Sequence, residues 1–207
     1  MTEIQHAYLV SRGDSSSQAT VGTTYCQIFA VDEIDLDRLD AAWGKVQKRH
    51  GMMRASVEED GTQSIAPSSK IGHIERAECA NSSEAKQQLE EIKRTVFALA
   101  KPPLHRVVSI SWHEESGKQT RLVFCFDYTV LDALSVMTVL AELAELYENP
   151  GADLPGIGLT FRDFVVGHRR DGREVEEAEA TGARACPSCR PRRSSPSPPT
   201  PRRSGKG

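Results

Sequence analysis

Phe126-Asp-Tyr-Thr-Val-Leu-Asp-Ala-Leu-Ser135 carries an apolar run into a helical pattern, with an aspartate on each side of the junction. Upstream, residues 104–112 and 121–126 read as a strand pair around Glu115-Ser-Gly-Lys118. Downstream, Leu134, Met137, Val139, Leu140, Leu143, Ala144, Leu146 and Tyr147 predict the buried side of a helix over residues 132–147. Asn149-Pro-Gly151 ends it. Strands leading into helices in this way predict an α/β (α+β) sandwich, a mixed sheet covered by helices.

Working outward, Ile4, Ala7, Tyr8 and Ser11 share one face of an opening helix, and a polar loop spans residues 13–20. Tyr25 to Val31 alternates weakly as a strand, and Asp35 or Asp37 caps a helix carrying Leu36, Leu39, Ala42, Trp43 and Val46. Residues 53–57 and 62–66 flank Glu59-Asp60-Gly61, whose Asp-Gly step signals a hairpin. Residues 71–77 read as a short strand, and 82–100 as a helix stopped by Pro102-Pro103. A last helix is expected over 160–180.

The chain has 207 residues, of which 38% are hydrophobic and 27% charged. That suffices for one domain with a real core, or two very small ones. No run reaches the roughly 20 apolar residues of a membrane span, and Met1-Thr-Glu-Ile-Gln-His has no secretory pattern. The expectation is a cytoplasmic protein whose Cys26, Cys79 and Cys125 are reduced thiols. Residues 181–207 hold seven basic side chains and no acid, which leaves 19 basic against 29 acidic before them. A body of net charge −10 disfavours nucleic acid as a partner.

Four segments, in order, resemble the core motifs of condensation-type domains of nonribosomal peptide synthetases. They are Gln5-His-Ala-Tyr8 with Arg12; Arg49-His-Gly-Met-Met-Arg-Ala55 followed by Asp60-Gly-Thr62; the stretch 126–135; and Leu159-Thr-Phe-Arg-Asp-Phe-Val165. Ordinary members carry His-His-x-x-x-Asp-Gly in the third segment, where the second His serves the attacking amine. Here Asp127 and Tyr128 replace the two histidines, Asp132 keeps the aspartate, and Ala133 stands for the glycine. The resulting Asp-x-x-x-x-Asp is similar to the heterocyclization subgroup, so a mechanism that needs a His at 128 is excluded.

The resemblance implies the N-terminal, chloramphenicol-acetyltransferase-like lobe of a two-lobed domain, over residues 1–180, lacking its C-terminal lobe. Complete members take substrates on phosphopantetheine arms of peptidyl or acyl carrier proteins and bind no cofactor of their own. They condense an acyl group with Cys, Ser or Thr and cyclise it to a thiazoline or oxazoline. Such chemistry serves secondary metabolism, siderophores included. The side chains credited with cyclodehydration lie in the second lobe.

Asp127 and Asp132 are the catalytic candidates, with structural roles weighed beside them. Asp132 is well placed to cap the helix that follows it, and Asp127 either shapes the tunnel or pairs with a cation. Arg54 is expected to pair with Asp132, while Arg49, His50 and Ser135 are supporting residues. His50 reads as a helix-end residue, and His105 and His113 have no metal-ligand spacing. The alternative is a catalytically dead fragment or a carrier-docking module.

Residues 181–207 read as a disordered basic Pro/Ser/Arg tail in which Cys186-Pro-Ser-Cys189, a single pair, is poor evidence for zinc. The family's usual continuation offers another account. Tyr-Trp-Arg-Ala-Arg-Leu-Pro-Glu-Leu-Pro-Pro in GC-rich codons, read one base late, gives Thr-Gly-Ala-Arg-Ala-Cys-Pro-Ser-Cys-Arg-Pro, which is residues 181–191. The tail is therefore expected to be out of frame and without function.

Overall fold

Strand β6 (Gly117–Asp127) forms the middle of the architecture. Its residues from Leu122 to Asp127 are buried without a break, because helices cover both faces of the sheet. Antiparallel partners flank it, β1 (Thr24–Val31) on one side and β5 (His105–Glu114) on the other. β4 (Glu75–Glu78) adds to β5 in parallel and makes the sheet mixed, in the order β1-β6-β5-β4. The computed structural model describes residues 1–13, 23–69 and 71–167, with Glu177, Ala180, Thr181 and Arg184. The chain divides into compact units Met1–Phe161 and Arg162–Gly207.

Within the first unit, Leu122, Phe124 and Phe126 point to one face, packed by α2 (Leu36–Arg49) and α4 (Ala133–Glu148). Trp43, Val46, Val136, Val139 and Leu143 fill that layer. Val123 and Cys125 point to the other face, under α3 (Ser82–Lys93) through Ala85 and Ile92. Fully burying one such aliphatic or aromatic side chain contributes about 1.5–3 kcal/mol. Asp35 caps α2 and Asn81 caps α3, each accepting two backbone N–H bonds. The Asp60-Gly61 turn, with Gly61 at φ 81°, joins β2 (Ala55–Val57) to β3 (Gln63–Ile65).

Several expectations shift. Gly51–Arg54 is a 3₁₀ turn, so the strand expected from residue 53 begins only at Ala55. The strand expected over 71–77 lies at Glu75–Glu78. α3 stops at Lys93 rather than residue 100. The carbonyls of Thr95, Phe97 and Leu99 accept from Thr24, Arg12 and Val57, and these tertiary bonds hold the segment open. On α4, Leu134 and Met137 are 72% and 68% exposed, contrary to the expected buried face, and Val136 is buried instead. With so many apolar positions, the helix offers more than one face to the core.

On α1 (Glu3–Gly13), Ile4, Ala7 and Ser11 are exposed, and Gln5 and Arg12 turn inward to serve buried polar groups. Cys26 and Cys125, expected as free thiols, are disulfide-bonded, because the β1–β6 register sets them opposite one another. Cys79 is free and buried. Phe161–Gly167 is helical (α5), and Glu177, Ala180, Thr181 and Arg184 are helical too. The rest of the span expected as the last helix, and residues 185–207 with Cys186 and Cys189, lie outside the described residues.

Candidate functional site

Asp127 ends β6 with no exposed surface. A buried carboxylate in such a place needs partners for its charge and its lone pairs. One oxygen accepts from the Thr23 hydroxyl at 2.9 Å and the Thr129 N–H at 2.8 Å. The other takes the Arg12 guanidinium, whose side chain is 12% exposed. Arg12 also donates to Thr23 and, at 3.0 Å, to the Phe97 carbonyl. Gln5 donates to the Thr129 carbonyl at 2.8 Å, so α1 grips the turn at two points. Val130 and Leu131 plug the turn into the core, their N–H groups bonded to the Asp127 carbonyl.

Asp132 lies at the far end of the turn and caps α4, accepting from the Ser135 N–H at 2.8 Å. Hydrogen bonds from the Ser135 side chain and backbone hold its carboxyl below the usual value. Tyr128, in the place of the family's histidine, stacks on Tyr25 with ring centroids 5.6 Å apart. Burial pushes its phenol up, so it stays protonated at neutral pH. The Asp127 carboxylate is paired on both oxygens.

Arg54 makes no ion pair with Asp132 among the described residues. It donates to the carbonyls of Gln47, Lys48 and Ala66, the last two at 2.9 and 3.0 Å. Arg54 goes there because the unpaired carbonyls at the C-terminus of α2 carry partial negative charge within a few residues of it. The cation that reaches α4 is Arg49, whose Nε lies 3.0 Å from Glu142, with His50 Nε2 at 2.6 Å from the same oxygen. Burial alone would raise the Glu142 carboxyl, but the bonds from His50 and Arg49 prevail and lower it. His50 also closes α2, its N–H bonded to the Val46 carbonyl.

Asp127, Asp132, Tyr128 and Ser135 thus share one strand-to-helix turn, while Arg49, His50 and Arg54 sit at the end of α2. Thr23 and Glu142 escaped the sequence reading; neither has a spacing that announces its partner. No cluster of three or more metal-ligating side chains occurs among the described residues. No described helix is long and apolar enough to cross a membrane.

A family model for the condensation domain matches residues 1–180. Bacitracin synthase 1 of Bacillus licheniformis is 28% identical over 80% of this chain and 3% of its own length. Phenyloxazoline synthase MbtB of Mycolicibacterium paratuberculosis is 30% identical over 79% of this chain and 14% of its own. The cyclization-docking bidomain of the synthetase EpoB from Sorangium cellulosum superposes with a TM-score of 0.77 at 26% identity. That match covers 90% of this chain and 38% of the bidomain, so this chain spans a minor part of each relative.

Proposed function

The chain belongs to the condensation-domain family, as an N-terminal part of a nonribosomal peptide synthetase heterocyclization domain, and on that premise we propose that it forms the donor-side wall of a carrier-fed tunnel. The observation that carries this reading is the Asp127-x-x-x-x-Asp132 turn with Tyr128 in the histidine position. Its substrates are acyl and Cys, Ser or Thr thioesters borne on phosphopantetheine, brought by peptidyl or acyl carrier proteins in the cytoplasm. The lobe positions them, and the cyclodehydration groups belong to the lobe that follows. A role in positioning accords with Asp127 and Asp132, whose carboxylates are engaged in pairing and capping.

The fully paired Asp127 also favours a second reading, a docking module that binds carriers without turnover. Two measurements on residues 1–207 separate the cases. Amide NMR shifts on adding a phosphopantetheinylated carrier protein are expected under both, and their absence would contradict both. Mass spectrometry of the acceptor carrier, after incubation with both loaded partners, is expected to show no thiazoline from this chain alone. Aligning two thioesters can be worth roughly 7–11 kcal/mol of barrier, which one wall does not supply. Turnover on adding the EpoB second lobe would favour the tunnel-wall reading; binding without turnover would favour docking. We further propose that residues 181–207 are out of frame, which nucleotide sequencing around codon 181 tests.

A further inference from the structure

The acyl-transfer reading gives no work to the chain's own cysteines, yet Cys26 and Cys125 face each other across the β1–β6 register with Cα atoms 4.2 Å apart and their sulfurs joined. A Cα separation this short marks the non-hydrogen-bonded kind of antiparallel pair, in which side chains come closest. Among the described residues β1 is an edge strand, held in the sheet by β6 alone. Further along the same ladder Thr24 pairs with Asp127, and the Thr23 hydroxyl is bonded to the Asp127 carboxylate. One covalent bond therefore fastens the strand that helps hold the motif aspartate.

We propose that Cys26–Cys125 is a thiol–disulfide switch on the motif turn: the bond clamps β1 against Asp127, and its reduction loosens that clamp. Cys125 is wholly buried and Cys26 only partly, so exchange begins at Cys26. A thiolate of an incoming dithiol attacks the Cys26 sulfur, the S–S bond breaks, and Cys125 leaves as thiolate and takes a proton. The second thiol of the reductant then attacks the mixed disulfide and releases Cys26. The protein gains two electrons and two protons, and the dithiol becomes a cyclic disulfide. Cys79 stays a bystander: it is buried and bonded to Gln88, and burial pushes its thiol up. In a reducing compartment such a bond is transient, as a switch requires.

The test uses residues 1–207, oxidised with glutathione disulfide or reduced with dithiothreitol. Peptide mapping after alkylation of free thiols should find a Cys26–Cys125 cross-link in the oxidised form only, distinct from any involving Cys186 or Cys189. Reduction should speed hydrogen exchange at least tenfold at residues 24–28 and at Tyr128 and Thr129. It should also lower Tm by roughly 10 °C, since the bond closes a loop with a sequence separation of 99. Cys26→Ser should behave like the reduced protein and be indifferent to dithiothreitol, whereas Cys79→Ser should keep the response. Absence of the cross-link after oxidation, or equal exchange and Tm in the two redox forms, would overturn the proposal. The wild-type comparison decides even if a variant does not fold.

Discussion

Asp127 and Asp132 belong to one motif and one turn, yet their surroundings are opposite. Asp127 is sealed from water and spends both carboxylate oxygens on Arg12, Thr23 and Thr129. Asp132 stands at the surface end of the turn and makes one cap to α4. In the interior an unmet charge costs several kcal/mol, and the partners must be complete. At a helix start the same carboxylate needs only a backbone N–H and the favourable dipole. A shared motif therefore holds two different devices, a buried lock and an exposed cap, and substitutions should separate them.

The largest effect is expected at the lock. Arg12→Ala leaves Asp127 buried and unpaired, and should cost about 3–5 kcal/mol in urea unfolding. A loss under 1 kcal/mol would mean that water or another cation reaches Asp127.

Next comes a buried titratable group on the same sheet. His105 is hydrogen-bonded to the Met53 backbone and packs edge-on to Trp43, with Nε2 lacking a partner among the described residues. Burial lowers its pKa to about 4, against a partial opposing pull from the Met53 bond. The folded form therefore resists protonation that the unfolded chain accepts. Stability attributable to this group is complete above about pH 6.5 and falls as pH drops towards 4, by about 3 kcal/mol in all. Unfolding measured from pH 7 to about 5.5, before most carboxylates begin to titrate, should show the start of this slope in wild type. His105→Phe should flatten it.

The cap should respond least. Asp132→Ala is expected to cost about 1 kcal/mol, and Asp132→Asn only a few tenths, because asparagine caps as well as aspartate. Thermal melts of the two variants check this; a loss from Asp132→Asn as large as that from Arg12→Ala would erase the distinction between lock and cap.

Much of this arrangement can be read from residues alone, and the reasons are local. The Asp132 cap, the Asp-Gly turn at Gly61 and the β5–β6 hairpin depend on neighbours in sequence. The mixed sheet and its helical cover follow from the order of strands and helices. What escaped depends on long-range geometry. The motif spacing pairs Arg54 with Asp132, but the α2 carbonyls lie nearer along the chain and take it. Arg12 and Asp127 are separated by 115 residues, and no spacing rule joins them. The cysteines pair through strand register, which composition does not reveal. Leu134 and Met137 misled because α4 carries more apolar residues than its core face uses.

A double-mutant cycle on Arg12 and Asp127 tests most directly the claim that the motif's first aspartate is a structural lock. Arg12→Met, Asp127→Asn and the double variant would be compared with wild type by urea unfolding. The expected result is a coupling energy of about 2–3 kcal/mol, with the double variant far less destabilised than the sum of the singles. Additivity within about 0.5 kcal/mol would show that the two side chains act independently, and would contradict the account.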